Sequence, residues 1–498
     1  MTFANRLIRR VAGLTLALFF FLSSAALAAV PTITGVRFGK GTDHDRIVLD
    51  VSEIPKYAAR TEKDGMQIIL ELSNIGDSVK VKPIIHSDVV HRVYFTKLKN
   101  SVILTIDLSE PAEYVVKTLK NPNRVFIDIQ KEYEHEQKSE PAPGLVETVY
   151  TRRDGRGRFR AFLLDVDLKK YDLVPVLANG EVLGRTTVSE MSDEVNAVAA
   201  INSNYFASSG EILGVLRMDG TVVGTTYFTR SALGVRKDGT PFVDQVYYSG
   251  QVTIGKKSSY VSGVNAERGE DTLIIYNRAY DVRTNTNNYG REFVVRDGKV
   301  VKINQGNSLI PEDGYVVSVH GKMKDLFAKV RVGDPATLTE DLGPAFQEVP
   351  LIVGAGPMLV KKGKPLVTKT EEQFPSDISR GRAPRTGVAV LANRHALLAV
   401  VDGRQEASIG ATLEEFAELL VKFGAKEAVN FDGGGSSAMV VGGELVNSPS
   451  DGEERRVGSA LAVMPRKAEP AGKTETSGKR PRKNKSALAE KRFASYNE

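Results

Sequence analysis

Asp432 closes a short apolar run and is followed at once by Gly433-Gly434-Gly435-Ser436-Ser437. A carboxylate beside such a run sets a proton-transfer group next to backbone N–H donors that no side chain shields, a setting suited to a phosphate or sugar oxygen. Asp402-Gly403-Arg404 offers a second acid in a turn, and Asp451 and Arg455 follow later. Arg385-Thr386 sits between Pro384 and Gly387, and Asn202 ends an apolar stretch. Together these residues form one polar set whose members follow strands or lie in Gly/Pro turns. Arginines suit phosphate through bidentate geometry. Paired carboxylates suit glycosidic bond cleavage, one as acid and the other as base or nucleophile.

Other chemistries find less support. Only His320 and His395 lie in this part of the chain, neither in a motif, so a Ser-His-Asp arrangement is not indicated. The glycine run has no lysine after it and is not a nucleotide-binding P-loop. The chain has no cysteine, which excludes disulfides, thiol catalysis and cysteine metal sites. A metal on Asp402, Asp432 or Asp451 would lack histidine ligands; no metal or cofactor is expected.

The elements that must position these groups are legible nearby. Ala396 to Val401 reads as a buried strand ending at Asp402. Thr412 with Glu415 forms a capping box for a helix whose apolar face is Leu413, Phe416, Ala417 and Leu420, and Gly424 ends it. Ala428 to Phe431 is the next strand, with Asp432 at its carboxyl end. Ligands gather at the carboxyl ends of strands in such units, which places Asp402 and Asp432 on one rim if the strands are parallel neighbours. Upstream, Thr187 to Asn196 reads as a short capped helix leading into an apolar strand, Ala197 to Ile201, and so to Asn202.

At 498 residues the chain is long enough for two or three globular units. Arg6, Arg9 and Arg10 precede the apolar run Val11 to Leu22, and Ala26-Leu27-Ala28 offers a small-x-small cleavage site, so residues 1–28 read as a secretory signal with no stable membrane span after cleavage. Residues 30–130 read as all-β. They repeat at a gapless offset of 57 residues: Val36 and Phe38 match Val93 and Phe95, while Asp50, Ser52, Glu53 and Tyr57 match Asp107, Ser109, Glu110 and Tyr114. A duplicated strand set of this size closes naturally as a two-sheet sandwich. Residues 131–144, rich in Glu and Lys and closed by Pro141-Ala142-Pro143-Gly144, read as a linker, and residues 145–466 as a second domain. Residues 467–498 carry nine basic and four acidic side chains with few large apolar ones and read as a disordered tail. Without that tail and the three signal arginines the net charge falls from +6 to −2, so nucleic acid is not an expected partner.

Two family resemblances add to this reading. Residues 30–130 resemble the AMIN domain, a β-sandwich of exported envelope proteins, through the paired hydrophobic-Asp-hydrophobic-Ser strand ends and the tyrosines that follow. Residues 145–466 resemble the phosphodiester glycosidases, whose Asn-Leu-Asp-Gly-Gly-Gly-Ser stands here as Asn430 to Ser436 with Phe431 for the leucine. Pro384-Arg385-Thr386, Val401-Asp402-Gly403, Pro449-Ser450-Asp451 and Arg455 match further motifs of that family. The family's Asn-Gly-Gly-Tyr/Phe-Phe becomes Asn202-Ser203-Asn204-Tyr205-Phe206, which implies a narrower or more polar pocket if substrate lies against that turn.

The resemblances imply a multidomain protein, an N-terminal all-β sandwich followed by an α+β or α/β mixed-sheet catalytic domain. They imply an exported, periplasmic or extracellular hydrolase of a sugar-1-phosphodiester, with peptidoglycan or another wall polymer bound through residues 30–130. Asp432 and Asp402 would be the catalytic carboxylates with Asp451 in reserve. Arg385, Thr386, Arg455 and Gly433, Gly434, Gly435 and Ser436 would hold the phosphodiester, and Asn202 a sugar hydroxyl. The alternative is a non-catalytic envelope protein that binds peptidoglycan or exopolysaccharide.

Overall fold

A computed structural model describes residues 30–76, 85–226 and 228–466. The expected signal and basic tail lie outside the described residues. Among those described, no helix is long and apolar enough to cross a membrane. The chain divides into two compact units, Met1–Glu136 with Tyr150–Phe159, and Gln137–Val149 with Arg160–Glu498.

The first unit is a sandwich of eight strands: β1 Ile33–Lys40, β2 His44–Val51, β3 Lys56–Glu62, β4 Gln67–Ser73, β5 Val90–Lys97, β6 Ser101–Leu108, β7 Tyr114–Leu119 and β8 Arg124–Gln130. The 57-residue offset carries β1–β4 onto β5–β8 to within one residue at each end. The two sheets run β1-β2-β8-β7 and β3-β4-β6-β5, so each half of the repeat gives one hairpin to each sheet. Neither half has a complete sheet of its own. The alternating inward positions, such as Ile47, Leu49 and Val51 on β2 and Leu104, Ile106 and Leu108 on β6, meet in one shared core. Burial of each such side chain is worth about 1.5–3 kcal/mol, and each half supplies the apolar face that the other covers.

The stretch read as a linker carries strand β9, Tyr133–Ala142. It lies at the edge of an eight-stranded sheet, where an exposed strand tolerates its Glu, Lys and terminal Pro. β10 (Leu145–Asp154) and β11 (Gly157–Asp167) follow it in the same sheet. The rest of the frame is β12 (Tyr171–Leu177), α1 (Val188–Val195), β13 (Ala199–Asn202), β14 (Arg230–Val235), β15 (Met358–Lys361), β16 (Lys364–Pro365), β17 (Arg385–Val390), β18 (His395–Val401), α2 (Leu413–Lys422), β19 (Glu427–Asn430), β20 (Met439–Val441), β21 (Glu444–Leu445) and β22 (Ser459–Pro465). The large sheet has the order β16-β15-β19-β17-β18-β11-β10-β9, and a second sheet the order β12-β22-β13-β20-β21. Leu398, Val400 and Val429 from the first, Phe431 just after it, and Ile201, Met439, Leu461 and Val463 from the second share one core. Most neighbouring strands are antiparallel, so the unit is α+β. Both expected helix caps form: Thr187 accepts from Glu190 N and Thr412 from Glu415 N, each with its full capping box.

One expectation about the frame is corrected. β18 and β19 run parallel but are not neighbours, because β17 lies between them and pairs antiparallel with both. Asp402 and Asp432 thus follow strands on the same rim with the start of β17, Arg385, inserted between. The helix α2 makes the long crossover that skipping a strand requires.

Candidate active site

The Asp432 loop is fixed by three backbone bonds to two other segments. Phe431 N donates to Thr386 O at 2.8 Å, Asp432 N to Ser203 O at 2.9 Å and Gly434 N to Pro384 O at 2.9 Å. Asn202 spans the loop's two ends: its Nδ2 donates to Asp432 O at 2.6 Å, and its Oδ1 accepts from Ala438 N at 3.2 Å and from Thr386 Oγ1 at 2.8 Å. Asn202 and Thr386 are buried at 1% and 0% exposure, so neither reaches a substrate. Their work is to hold the backbone of Asp432.

The glycines act through space and conformation. Gly434 has φ +62°, in the left-handed region, and opens a short 3-10 turn over Gly434–Ser436. A Cβ on Gly433 would stand 2.8 Å from Pro384 O, and one on Gly435 would collide with the Arg455 guanidinium and the Asp451 carboxylate. The expected anion-binding role of their N–H groups is narrowed, since Gly434 N is bonded to Pro384 O, and Ser436 N and Ser437 N close the turn onto Gly433 O and Gly434 O, each at 3.2 Å.

Asp432 lines a cleft of about 640 Å³ with Ser436 and Arg455. Its residue keeps some exposure to the cleft, yet protein encloses the carboxyl on its other sides. That desolvation pushes its pKa up to about 6, against the opposing pull of Ser436, Arg455 and the Gly433 N–H. Arg455 is oriented by Asp451 through Nε at 2.8 Å and Nη2 at 2.6 Å, and its Nη1 lies 3.4 Å from Ser436 Oγ. Asp451 therefore works through Arg455.

Two expected site residues do not reach the cleft. Asp402 is 2% exposed, and its Oδ1 accepts from Asn447 Nδ2 at 3.2 Å and Ser448 N at 3.0 Å. Burial raises its pKa. It organises the turn at 447–448 and is absent from the cleft lining, so the Asp432–Asp402 pair is not brought together across a substrate. Arg385 is 3% exposed and donates to Ala411 O at 3.0 Å, Ile378 O at 3.0 Å and Gly381 O at 3.1 Å. Those carbonyls use its fork to tie down the short helical turn Ser376–Ser379 that carries Ile378, a cleft residue. The substituted Ser203 and Asn204 also face away: Ser203 Oγ meets Ser459 Oγ at 2.9 Å and Asn204 Nδ2 donates to Gly354 O at 2.8 Å. They neither narrow nor line the pocket.

The cleft contains residues that no motif reveals, Arg185, Leu213, Phe228, Arg230 and Pro375, beside Tyr205 of the Asn202–Phe206 motif. Tyr205 donates to Gly356 O at 3.1 Å and accepts from Asn430 Nδ2 at 3.0 Å, linking the cleft wall to β19. Arg185 and Arg230 sit in no motif and come from segments far apart in the chain, so no local pattern marks them.

Residues 289–464 match the phosphodiester glycosidase family. That match contains Arg385, Asp402, Asp432, Asp451 and Arg455, and it supports a hydrolase of that family. A 108-residue stretch is 32% identical to the SPbeta prophage-derived protein YomE of Bacillus subtilis (strain 168), covering 22% of this chain and 16% of that protein. The chain thus matches only about a sixth of that relative's length. A hypothetical protein from Synechocystis has a similar crystal structure, with TM-score 0.61 and 22% identity over 88% of this chain and 81% of the other. A protein of Burkholderia pseudomallei K96243, named as an exported one, gives TM-score 0.55 and 20% identity over 82% and 96%. These two likenesses show a shared fold.

Proposed function

We propose that the cleft hydrolyses a sugar-1-phosphodiester at its glycosidic bond, with Asp432 as the reacting carboxylate. The observation that carries this is the placement of Asp432: of the three candidate aspartates, it alone lines a cleft that also holds Arg185, Arg230 and Arg455. Cations around one perturbed acid suit an anionic substrate.

The leaving group decides the acid's role. Breaking the C1–O bond gives the electron pair to a phosphate oxygen, and the diester monoanion becomes a phosphomonoester. That product has a second pKa of about 6, so it departs as a dianion without a general acid. Asp432 is then needed at the other side of C1. As a carboxylate it accepts a proton from the attacking water, whose oxygen forms the new bond to C1. A double displacement would need a second group to activate water for the later step, and Asp402 and Asp451 are committed elsewhere. A single displacement needs only Asp432 and yields inverted free sugar. Replacing Asp432 by Asn should abolish turnover of an N-acetylglucosamine-1-phosphodiester; near-normal turnover would sink the assignment.

Export and attachment to the envelope through residues 30–130 belong to the same proposal. They are supported by the charged, then apolar, then small-residue start of the chain and by the duplicated sandwich. Sedimentation with purified peptidoglycan tests the attachment. Binding without turnover on any sugar phosphodiester would favour the non-catalytic reading.

A further inference from the structure

Of the arginines around the Asp432 loop and cleft, three have a clear account. Arg385 is saturated by carbonyls, Arg455 is held by Asp451, and Arg185 is exposed at the cleft wall, where water solvates it. Arg230 is different. It starts β14, is half-buried and lies against the Phe374 ring, its Cζ 3.9 Å from the ring centroid. Its Nε is buried without a hydrogen-bond partner. No carboxylate pairs with it among the described residues.

The buried acid whose charge acts on it makes no hydrogen bond to it. Glu372 is 1% exposed and already accepts from Ser231 N at 2.8 Å, Ser231 Oγ at 2.6 Å, Met358 N at 3.0 Å and Thr368 Oγ1. The Tyr205 hydroxyl is likewise engaged by Gly356 and Asn430. A guanidinium nitrogen cut off from water and given no acceptor is costly, and the two outer nitrogens of Arg230 stay open to the cleft. The Phe374 ring backs the guanidinium at the cleft wall, where its fork can meet a bidentate acceptor.

We infer that Arg230 receives the phosphate of the substrate, completing its hydrogen bonds with two phosphoryl oxygens as negative charge develops on the departing group. This rests on the hydrolytic reading above but names a residue that precedes the family-matched segment. Arg230 would thereby be a catalytic residue on the leaving-group side, opposite in role to Asp432.

The test is calorimetric titration of the full chain with glycerol phosphate, a phosphate monoester that carries no sugar, beside diester turnover on the same samples. The parent protein should bind it, and Arg230→Gln should weaken binding by about 10- to 100-fold, the loss expected for charge-assisted hydrogen bonds. Arg230→Lys keeps the cation over Phe374 and so guards against a folding defect. It should still bind several-fold more weakly than the parent, because an ammonium cannot make the fork. Parent protein that binds no phosphate monoester, or either variant binding as the parent does, overturns the inference. Parent protein that binds the monoester, with both variants weakened, but cleaves no diester removes the hydrolytic reading and the catalytic role with it, and leaves Arg230 as a phosphate-binding residue.

Discussion

Replacing Asp432 by Asn should make the protein more stable at neutral pH while removing its activity. The carboxyl's folded pKa of about 6 lies above its ordinary value of 3.8. Between those values the folded state holds a proton that the unfolded chain has released, so stability falls as pH rises from about 4 to about 6. A difference of about 2 units at 1.36 kcal/mol each puts the full cost near 3 kcal/mol at pH 7.5. An amide cannot ionise and escapes that cost. Some of the gain is lost because Ser436, Arg455 and the Gly433 N–H favour the charge, but their pull is already contained in the net shift. At about 2 °C per kcal/mol for a unit of this size, the thermal midpoint should rise by roughly 5 °C at pH 7.5. By pH 4 the advantage should shrink to about 0.5 kcal/mol, since both forms of the parent are then largely protonated when folded and about half so when unfolded. Thermal unfolding of parent and variant at both pH values measures this directly. A variant less stable than its parent at pH 7.5, or a gain of equal size at pH 4, would refute the claim that the carboxyl is held in its site against its solvation.

The same carboxylate should make kcat/KM rise with pH through about 6, the reverse of a general-acid profile. Proton NMR of early product should show the inverted anomer. Asp402→Asn should retain turnover within about tenfold, because its carboxylate bonds Asn447 and Ser448 and not substrate; loss as complete as for Asp432→Asn would return Asp402 to the catalytic pair. Arg385→Ala should lower stability by about 2–4 kcal/mol in urea unfolding, through three carbonyls left without donors. Gly435→Ala should cut turnover at least about tenfold by driving Arg455 and Asp451 from their places, measured as kcat/KM with the thermal midpoint as control.

The duplicated strands, the caps at Thr187 and Thr412, and the placement of Asp432 after a buried strand were all determined by the sequence itself. Each is a local matter: alternation within a strand, a side chain bonding a backbone N–H three residues on, a glycine where φ must be positive. Local pattern also set Asp402, Arg385 and Asn202 at strand ends in the same domain. What it could not decide was where their polar atoms point. That depends on which carbonyls and amides from distant segments arrive beside them: Ala411 and Gly381 at Arg385, Ser448 at Asp402, Ala438 at Asn202. A polar group follows its nearest unsatisfied partner, and partners separated by tens of residues meet only in the folded chain. For the same reason Arg230 carries no mark in the sequence. Its significance lies in a missing acceptor, and only the tertiary structure shows that Glu372 beside it is already fully bonded.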